Sequence, residues 1–384
     1  MVEWKKLGEI TGRNKGIPIT AGQMSELASV DGNVRVFAAG STIADIDESK
    51  LPENCAHKLP SIIVKSRGYI DFEFYEKPFT HKNEMWSYSF EKKQEGKYIY
   101  YYLTTKTDFF RKKAKANSVK LPQLCVADTD NYLIPIPSIE EQTRIVGILD
   151  TFTASIDNLK EQIAQRRKQY EYYRDQMFYA SKSDLLKAAK RGETVVKSLD
   201  DLGTFTRGRR FVRTDIVSEG VPCIHYGDMY TYYGVSAEET PTHLTKELSS
   251  KLRFANNGDV VIVAAGENDL DIGVGVAWLG NEPVVVHDAC FIFEHKMNPK
   301  YLSHFMRSRN YHQQIRMGVV DGKICSISAK ELGRALIAVP SLQEQQRIVS
   351  ILDTFEASIQ NLEAQLSQRE KQYEYYRNKL LTFE

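Results

Sequence analysis

The chain has 384 residues, enough for two or three domains that each bury a core of their own. Hydrophobic residues make up 42 % and charged ones 26 %, a globular composition, and the longest apolar runs, such as residues 260–265, are far short of a bilayer span; this argues against a membrane protein and against a disordered one. Lys and Arg number 51 against 50 Asp and Glu, and a net charge of +1 excludes no partner, because a basic face can be balanced by acidic surface elsewhere.

The first residues, with Glu3, Lys5 and Lys6, lack the apolar stretch of a secretory signal, so a cytoplasmic location is expected. Residues 1–137 read as a globular domain. In it, Arg13-Asn14-Lys15-Gly16 is a basic loop with a glycine. Ile62-Ile63-Val64 reads as a strand leading to Lys65-Ser66-Arg67-Gly68, a loop able to reach base edges, where Arg suits guanine. A helix is expected over 98–115. Its end, Arg111-Lys112-Lys113-Ala114-Lys115, suits phosphates and suits the helix dipole equally. A loop with Lys120 follows. The candidate nucleic-acid contacts of this domain are Arg13, Lys15, Lys65, Arg67, Lys112, Lys113, Lys115 and Lys120.

Over 138–181 the apolar positions step by four and three: Ile145, Leu149, Phe152, Ile156, Leu159, Ile163, then Arg166 as the one polar exception, then Tyr170, Tyr173 and Met177. Ser138 with Glu141 forms an expected capping box after Pro137. A helix of about forty residues spans roughly 60 Å at about 1.5 Å per residue, and so narrow a stripe needs a partner helix. A linker is expected over 182–194.

Residues 195–340 read as a second globular domain. Its sharpest basic cluster, Arg207-Gly208-Arg209-Arg210-Phe211-Val212-Arg213, suits phosphate contact. Strands are expected at 260–263, 284–286 and 291–293, and a helix over 299–316. Asn268, in the polar loop after the first of these strands, could pair with adenine. Arg207, Arg209, Arg210, Arg213, Asn268, Arg316 and Lys323 are the candidates here. Residues 341–384 repeat the heptad stripe as Ile348, Leu352, Phe355, Ile359, Leu362 and Leu366, with Arg369 as the polar exception. The tyrosine-rich stretches 98–102 and 226–233 read as core or groove wall, core more often.

The two halves are one unit repeated. Pro137-Ser138-Ile139-Glu140-Glu141-Gln142 recurs 203 positions later as Pro340-Ser341-Leu342-Gln343-Glu344-Gln345, and the same shift aligns 168–174 with 371–377 and Lys97 with Lys300. Leu7-Gly8 matches Leu202-Gly203 at a shift of 195, so the second copy carries an insertion of about eight residues. The fold class expected is α+β: two similar globular domains joined by two long helices that pair as an antiparallel coiled coil, a pseudo-twofold internal repeat. Arg166 and Arg369 would pin the seam's register by snorkelling.

Signs of catalysis are weak. Five scattered cysteines without a C-x-x-C pair suggest buried thiols and neither disulfides nor zinc. No phosphate-binding glycine-Lys loop, complete cofactor glycine loop or Asn/Asp-Pro-Pro-aromatic stretch occurs, and Gly273-Val274-Gly275 reads as a twisted strand. Glu91 with Lys93, and the triplet Glu294-His295-Lys296, could in principle serve a nuclease, without a convincing acidic partner. His287-Asp288 reads as a strand-end pair. No catalytic or metal-binding residues are expected.

On the paired Pro-Ser-x-x-Glu-Gln-x-Arg-Ile-Val helix openings at 137–146 and 340–349, the domain starts at Leu7-Gly8 and Leu202-Gly203, and the Arg67-Gly68-Tyr69-Ile70 loop, the chain resembles the specificity subunits of type I restriction-modification enzymes along its whole length. The resemblance implies a non-catalytic subunit whose two domains each read half of a split, asymmetric target in double-stranded DNA. It implies helices that act as a spacer and as docking surface for two methyltransferase subunits, to which two restriction subunits can add. S-adenosylmethionine, ATP and magnesium would sit on those partners and none on this chain. A coiled-coil adaptor that binds protein and not DNA is the alternative, supported by the near-neutral charge.

Overall fold

In each half of the chain the first strand returns to the last. Glu3–Lys6 pairs antiparallel with Leu133–Ile136, and Val196–Ser198 with Leu336–Ala338, so each globular domain is entered and left at one place, just before a long helix. The computed structural model describes residues 2–118 and 120–383, with only the backbone of Tyr230; the rest of the expected spans 1–137 and 341–384, and that tyrosine's side chain, lie outside the described residues.

Between these ends the two domains share a frame. The larger sheet of the first runs Arg13–Lys15, Trp86–Ser89, Ser61–Lys65, Asp71–Tyr75 in spatial order, and that of the second Gly203–Arg207, Cys290–His295, Val260–Val263, Gly275–Trp278, with Ser236–Ala237 added at the edge. The smaller sheet is repeated as well. Ile43–Ile46, Val34–Phe37 and Phe79–His81 correspond to Thr242–Leu244, Val221–Ile224 and Val284–Val286, with the last two strands parallel in both copies. Ile62, Ile63 and Val64, like Val260 to Val263, are wholly buried, which suits a central strand covered on both faces and rich in β-branched residues.

The single helices expected over 98–115 and 299–316 are each broken into two. Lys93–Thr104 and Thr107–Asn117 meet where the hydroxyls of Thr104 and Thr105 bond back to the carbonyls of Tyr101 and Tyr102, and Pro299–Phe305 and Arg309–Ile315 meet where Ser308 caps the second piece by accepting from the Tyr311 amide. Local side-chain bonds of this kind compete with the helical ladder. Gly273 forms a left-handed turn (φ 87°) before the strand Gly275–Trp278, so only the latter part of the expected twisted strand is strand. Of the cysteines, Cys223, Cys290 and Cys325 are buried as expected, whereas Cys55 is half-buried and Cys125, at a helix start, is exposed.

The long helices run Ile139–Met177 and Leu342–Leu380. The first stops short of 181 because Tyr179 takes a left-handed conformation (φ 60°); Ser181 then caps a further helix, Lys182–Lys190, inside the stretch read as a linker. Their shared opening motif has a physical content. Ser138 and Ser341 accept from the amides of Glu141 and Glu344, but those glutamates do not close a capping box; each carboxylate forms a two-pronged pair with Arg144 or Arg347 at 2.6 to 2.8 Å. The buried Gln142 and Gln345 donate to the carbonyls of Pro137 and Pro340, fixing the angle at which the helix leaves the domain.

The chain forms two compact units, one of Met1–Lys160 with Ala364–Glu384, the other of Glu161–Glu363. In the first, Ile145, Val146 and Leu149 from the start of one helix and Leu381 from the tail of the other complete the domain core, with Tyr373, Leu380 and Phe383 packed against it. In the second, Ile348, Val349 and Leu352 play the first part, and Phe178 with Tyr170 and Met177 the second. Each fully buried aliphatic or aromatic side chain of this kind stabilises by roughly 2 kcal/mol. Within each unit the helices pair antiparallel: Phe152 stacks on Tyr376 while Lys160 meets Glu370, and Tyr173 stacks on Phe355 while Arg167 meets Glu363. Arg369 lies 5.7 Å over the Phe152 ring and Arg166 5.9 Å over Phe355. The polar exceptions of the heptad stripe are therefore cations held on an aromatic face, together with a tyrosine seven residues further along the same helix.

Ile145, Leu149, Ile348 and Leu352, which enter the domain cores, are buried, as are Ile156, Leu159 and Ile163, while Phe152, Phe355, Ile359, Leu362 and Leu366 are half-buried. Truncation should track this difference. Ile156→Ala is expected to cost about 3 kcal/mol and Ile359→Ala about 1 kcal/mol, read as the shift of urea unfolding midpoints; equal costs would contradict the burial.

Candidate nucleic-acid interface

Strand register decides which loops meet. In the first domain Lys15 stands opposite Trp86 and Trp86 opposite Val64, so the loops after Lys15 and after Lys65 leave the sheet at the same end. In the second, Arg207 stands opposite Phe291 and Phe291 opposite Ile262, which brings residues 208–213 beside residues 264–274. A third segment joins them. Arg67 bridges to Gln123 and the Gly68 amide donates to Pro122, while Ala265–Gly266 pairs with Cys325–Ser326, so the segments that carry Lys120 and Lys323 arrive at this end too. The start of the second long helix lies towards the other end of its sheet, where Gln345 accepts from the amide of Asn298, three residues beyond the strand Cys290–His295.

In each domain, strand register thus gathers many of the candidate residues at one sheet end, but not all of them are at liberty to meet a ligand. Lys65 is engaged by Glu73 at 2.8 Å, Arg13 lies 3.6 Å from Asp130, and Lys113 lies 4.0 Å from Asp128. Lys15, Arg67, Lys112, Lys115 and Lys120 are exposed. Two residues that were not singled out do much of the shaping. Arg111 donates from Nε to the Ile70 carbonyl and from Nη2 to the Tyr69 hydroxyl, with its guanidinium 5.0 Å over the Tyr69 ring. This pins the 67–70 loop, whose turn Gly68 makes at φ 77°, and leaves Tyr69 60 % exposed beside Arg67. The Arg-Gly-Tyr order was the available clue.

In the second domain Arg207 donates to the Asp288 carbonyl and Arg209 to the Lys251 carbonyl, so both tie the loop to its surroundings. Arg210 and Arg213 are exposed, with no side-chain hydrogen bond or ion pair among the described residues. Gly208 faces inward: a methyl group there would collide with the carbonyl oxygens of Val286 and His287, as one on Gly16 would with those of His81 and Lys82. The glycine of each basic loop is therefore required by the close crossing of two chains. Asn268 spends its side-chain oxygen on its own turn, accepting from the Leu270 amide at 3.1 Å, so that atom does not point outward to a base. Arg316 lies with Arg309, His312, Leu270 and Met317 along a groove of about 630 Å³. Lys323 is exposed at the tip of the hairpin closed by Val320 and Ser326.

The residues considered for nuclease chemistry are not brought together. Lys93 is bound by Glu76 at 2.6 Å, and His295 accepts from the amide of Met297. His287 and Asp288 form a pair at 3.2 Å just beyond the strand Val284–Val286. No cluster of His, Cys, Asp and Glu suited to a metal ion occurs among the described residues, and no helix among them is long and apolar enough to cross a membrane.

Two sheets of repeated topology, basic loops gathered at one end and a long helix leaving each domain define a DNA-specificity architecture, and the chain belongs to the type I restriction modification DNA specificity domain family, whose model matches residues 1–166 and 192–370. It is similar to the type I restriction enzyme EcoR124I/EcoR124II specificity subunit of Escherichia coli, 29 % identical over all of this chain and 94 % of that one. It is 24 % identical to the type I restriction enzyme MjaVIII specificity subunit of Methanocaldococcus jannaschii over 74 % of this chain and 69 % of that one. The crystal structure of a type I restriction-modification system S subunit from M. genitalium shares the fold, with a TM-score of 0.62 at 16 % identity over 100 % of this chain and 97 % of that one.

Behind the first basic loop, the wholly buried His81 ring lies 3.2 Å from the Ser87 hydroxyl, and burial pushes its pKa down to about 4. Between pH 4 and 6.5 the folded domain then binds fewer protons than the unfolded chain, so stability is retained at neutral pH and lost as the pH falls through that window. At pH 5 the loss from this one group is about 2 kcal/mol. Urea midpoints at pH 7 and pH 5 should show it, and His81→Gln should reduce the difference.

Proposed function

We propose that the chain is the non-catalytic, sequence-reading subunit of a type I restriction-modification complex, in which each globular domain docks on one half of a bipartite, asymmetric target in double-stranded DNA. The observation that carries this reading is that one repeated backbone frame presents two chemically different sets of loops at equivalent sheet ends. Different loops call for different half-sites, and a repeated frame calls for the same mode of docking. The two helices, alike at most of their aligned positions, are the natural docking surface for two methyltransferase subunits, since two copies of one partner require two copies of one surface, and they would set the separation of the half-sites. Two restriction subunits would complete the assembly. S-adenosylmethionine, ATP and magnesium belong to those partners in this reading, and the complex works in the cytoplasm. DNA reading is preferred to a protein-binding adaptor because the exposed cations collect at the loop end of each sheet.

Methylation mapping in cells that express this chain with its methyltransferase should return a split, non-palindromic motif. A continuous or palindromic motif would overturn the proposal. Arg210→Ala and Arg213→Ala, which remove exposed phosphate partners, are expected to weaken binding of the assembled complex to all DNA sequences alike. Each should reduce the slope of log K against log salt by about one. An unchanged slope would place these arginines away from the phosphates.

A further inference from the structure

The loop end of the second domain carries something the first lacks. Leu270, Met317, Val320 and Ile324 are 73, 94, 66 and 62 % exposed, four aliphatic side chains on two neighbouring segments. The ladder between Ala265–Gly266 and Cys325–Ser326 sets the bases of these segments side by side, and the bridge between Val320 and Ser326 closes the hairpin that holds Ile324 and Lys323 at its tip. Leu270 and Met317 line one groove with Arg309 and Arg316. At the equivalent place the first domain presents Arg67, Tyr69 and Lys120, with Leu121, 42 % exposed, beside them.

We infer that the second domain recognises its half-site through the methyl groups of thymines, which Leu270, Met317, Val320 and Ile324 cover when the loop end enters the major groove, while the first domain reads its half-site by polar contacts. This rests on the reading that the loop ends face DNA. Side chains of this kind offer no hydrogen bonds, and the one apolar group that B-DNA presents on a base edge is the thymine C5-methyl. Arg316 flanks the aliphatic group and suits a phosphate at the edge of a DNA groove, while Arg309, which lines the same protein groove, lies 4.0 Å from Asp175. Asp269 and Asp321, which also line it, are repelled by phosphates and can accept from the exocyclic amino groups of cytosine or adenine, which favours a base-facing position over a backbone-facing one. The surface is thus continuous with the basic loop at the same sheet end and complementary to a duplex groove.

The test uses the assembled complex on its mapped target, with the thymines replaced one at a time by deoxyuridine, which lacks only the methyl. In one half-site at least one replacement should weaken binding about fourfold, the effect of about 0.8 kcal/mol for one buried carbon. Met317→Ser or Leu270→Ser, both at exposed positions, should bind the thymine and deoxyuridine DNAs equally, and the other half-site should be insensitive to both changes. The inference is overturned if neither half-site responds to deoxyuridine, or if the response survives both serine variants, as it would were the aliphatic patch a protein-docking surface. A complex with no sequence-specific binding to either DNA would overturn the DNA reading as well, and so is distinguishable from failure of this refinement alone.

Discussion

Everything else in the molecule depends on how the two domain cores are closed. Neither is completed by its own repeat. The first needs Leu381, and the packing of Tyr373 and Leu380, from the end of the second long helix, and the second needs Phe178, Tyr170 and Met177 from the end of the first. The folding units therefore differ from the sequence repeats, since each compact unit takes the start of one helix and the end of the other. A chain cut at the repeat boundary would leave each core short of a side chain that is at most 2 % exposed, and no surface contact of about 0–1 kcal/mol replaces that.

The junctions between helix and domain show where duplication has been kept strict and where it has been relaxed. Tyr98 donates to the Pro135 carbonyl and Tyr301 to that of Ala338; Lys97 pairs with Asp150 and Lys300 with Asp353, at 2.7 and 2.6 Å. Tyr101 completes the first junction by donating to Asp150. At the corresponding place in the second stands His304, 3.0 Å from the Tyr170 hydroxyl, which in turn donates to Glu356. Arg307, deep in the same junction, donates to the Gly234 carbonyl, and burial lowers its pKa. The scaffold tolerates such exchanges because the apolar contacts around them, Ile145 and Leu149 or Ile348 and Leu352, carry the closure.

The repeat, the heptad stripe, the central strands and the helix openings were legible in the sequence because each is a periodic or locally encoded signal. The capping box was half legible. Ser138 and Ser341 do cap, but a spacing rule cannot see that Arg144 and Arg347 compete for the glutamates and win with two bonds each. The breaks at Thr104-Thr105 and before Ser308 were hidden because side-chain hydroxyls decide them within an otherwise continuous helical pattern. At the candidate interface, the basic clusters fall on loops that strand register gathers at one sheet end, but charge could not say which cations were already engaged. Lys65 with Glu73 and Arg209 with the Lys251 carbonyl depend on register between strands and loops far apart in sequence. The glycines of the basic loops, Gly16 and Gly208, are required by a close backbone crossing that the sequence does not show.

That crossing explains how the loops can differ so much while the frame does not. Gly16 and Gly208 pass over backbone carbonyls, the 67–68 segment is tied to Pro122 and Gln123 by main-chain contacts, and the 265–266 segment is held to Cys325–Ser326 in the same way. Bonds between backbones place no demand on the side chains that project from them. Arg67, Tyr69 and Lys120 in one domain, and Leu270, Met317 and Ile324 in the other, can therefore stand on equivalent supports at no cost to the fold. A surface anchored through its backbone changes its chemistry by substitution of exposed residues alone, which are the substitutions a folded domain tolerates best.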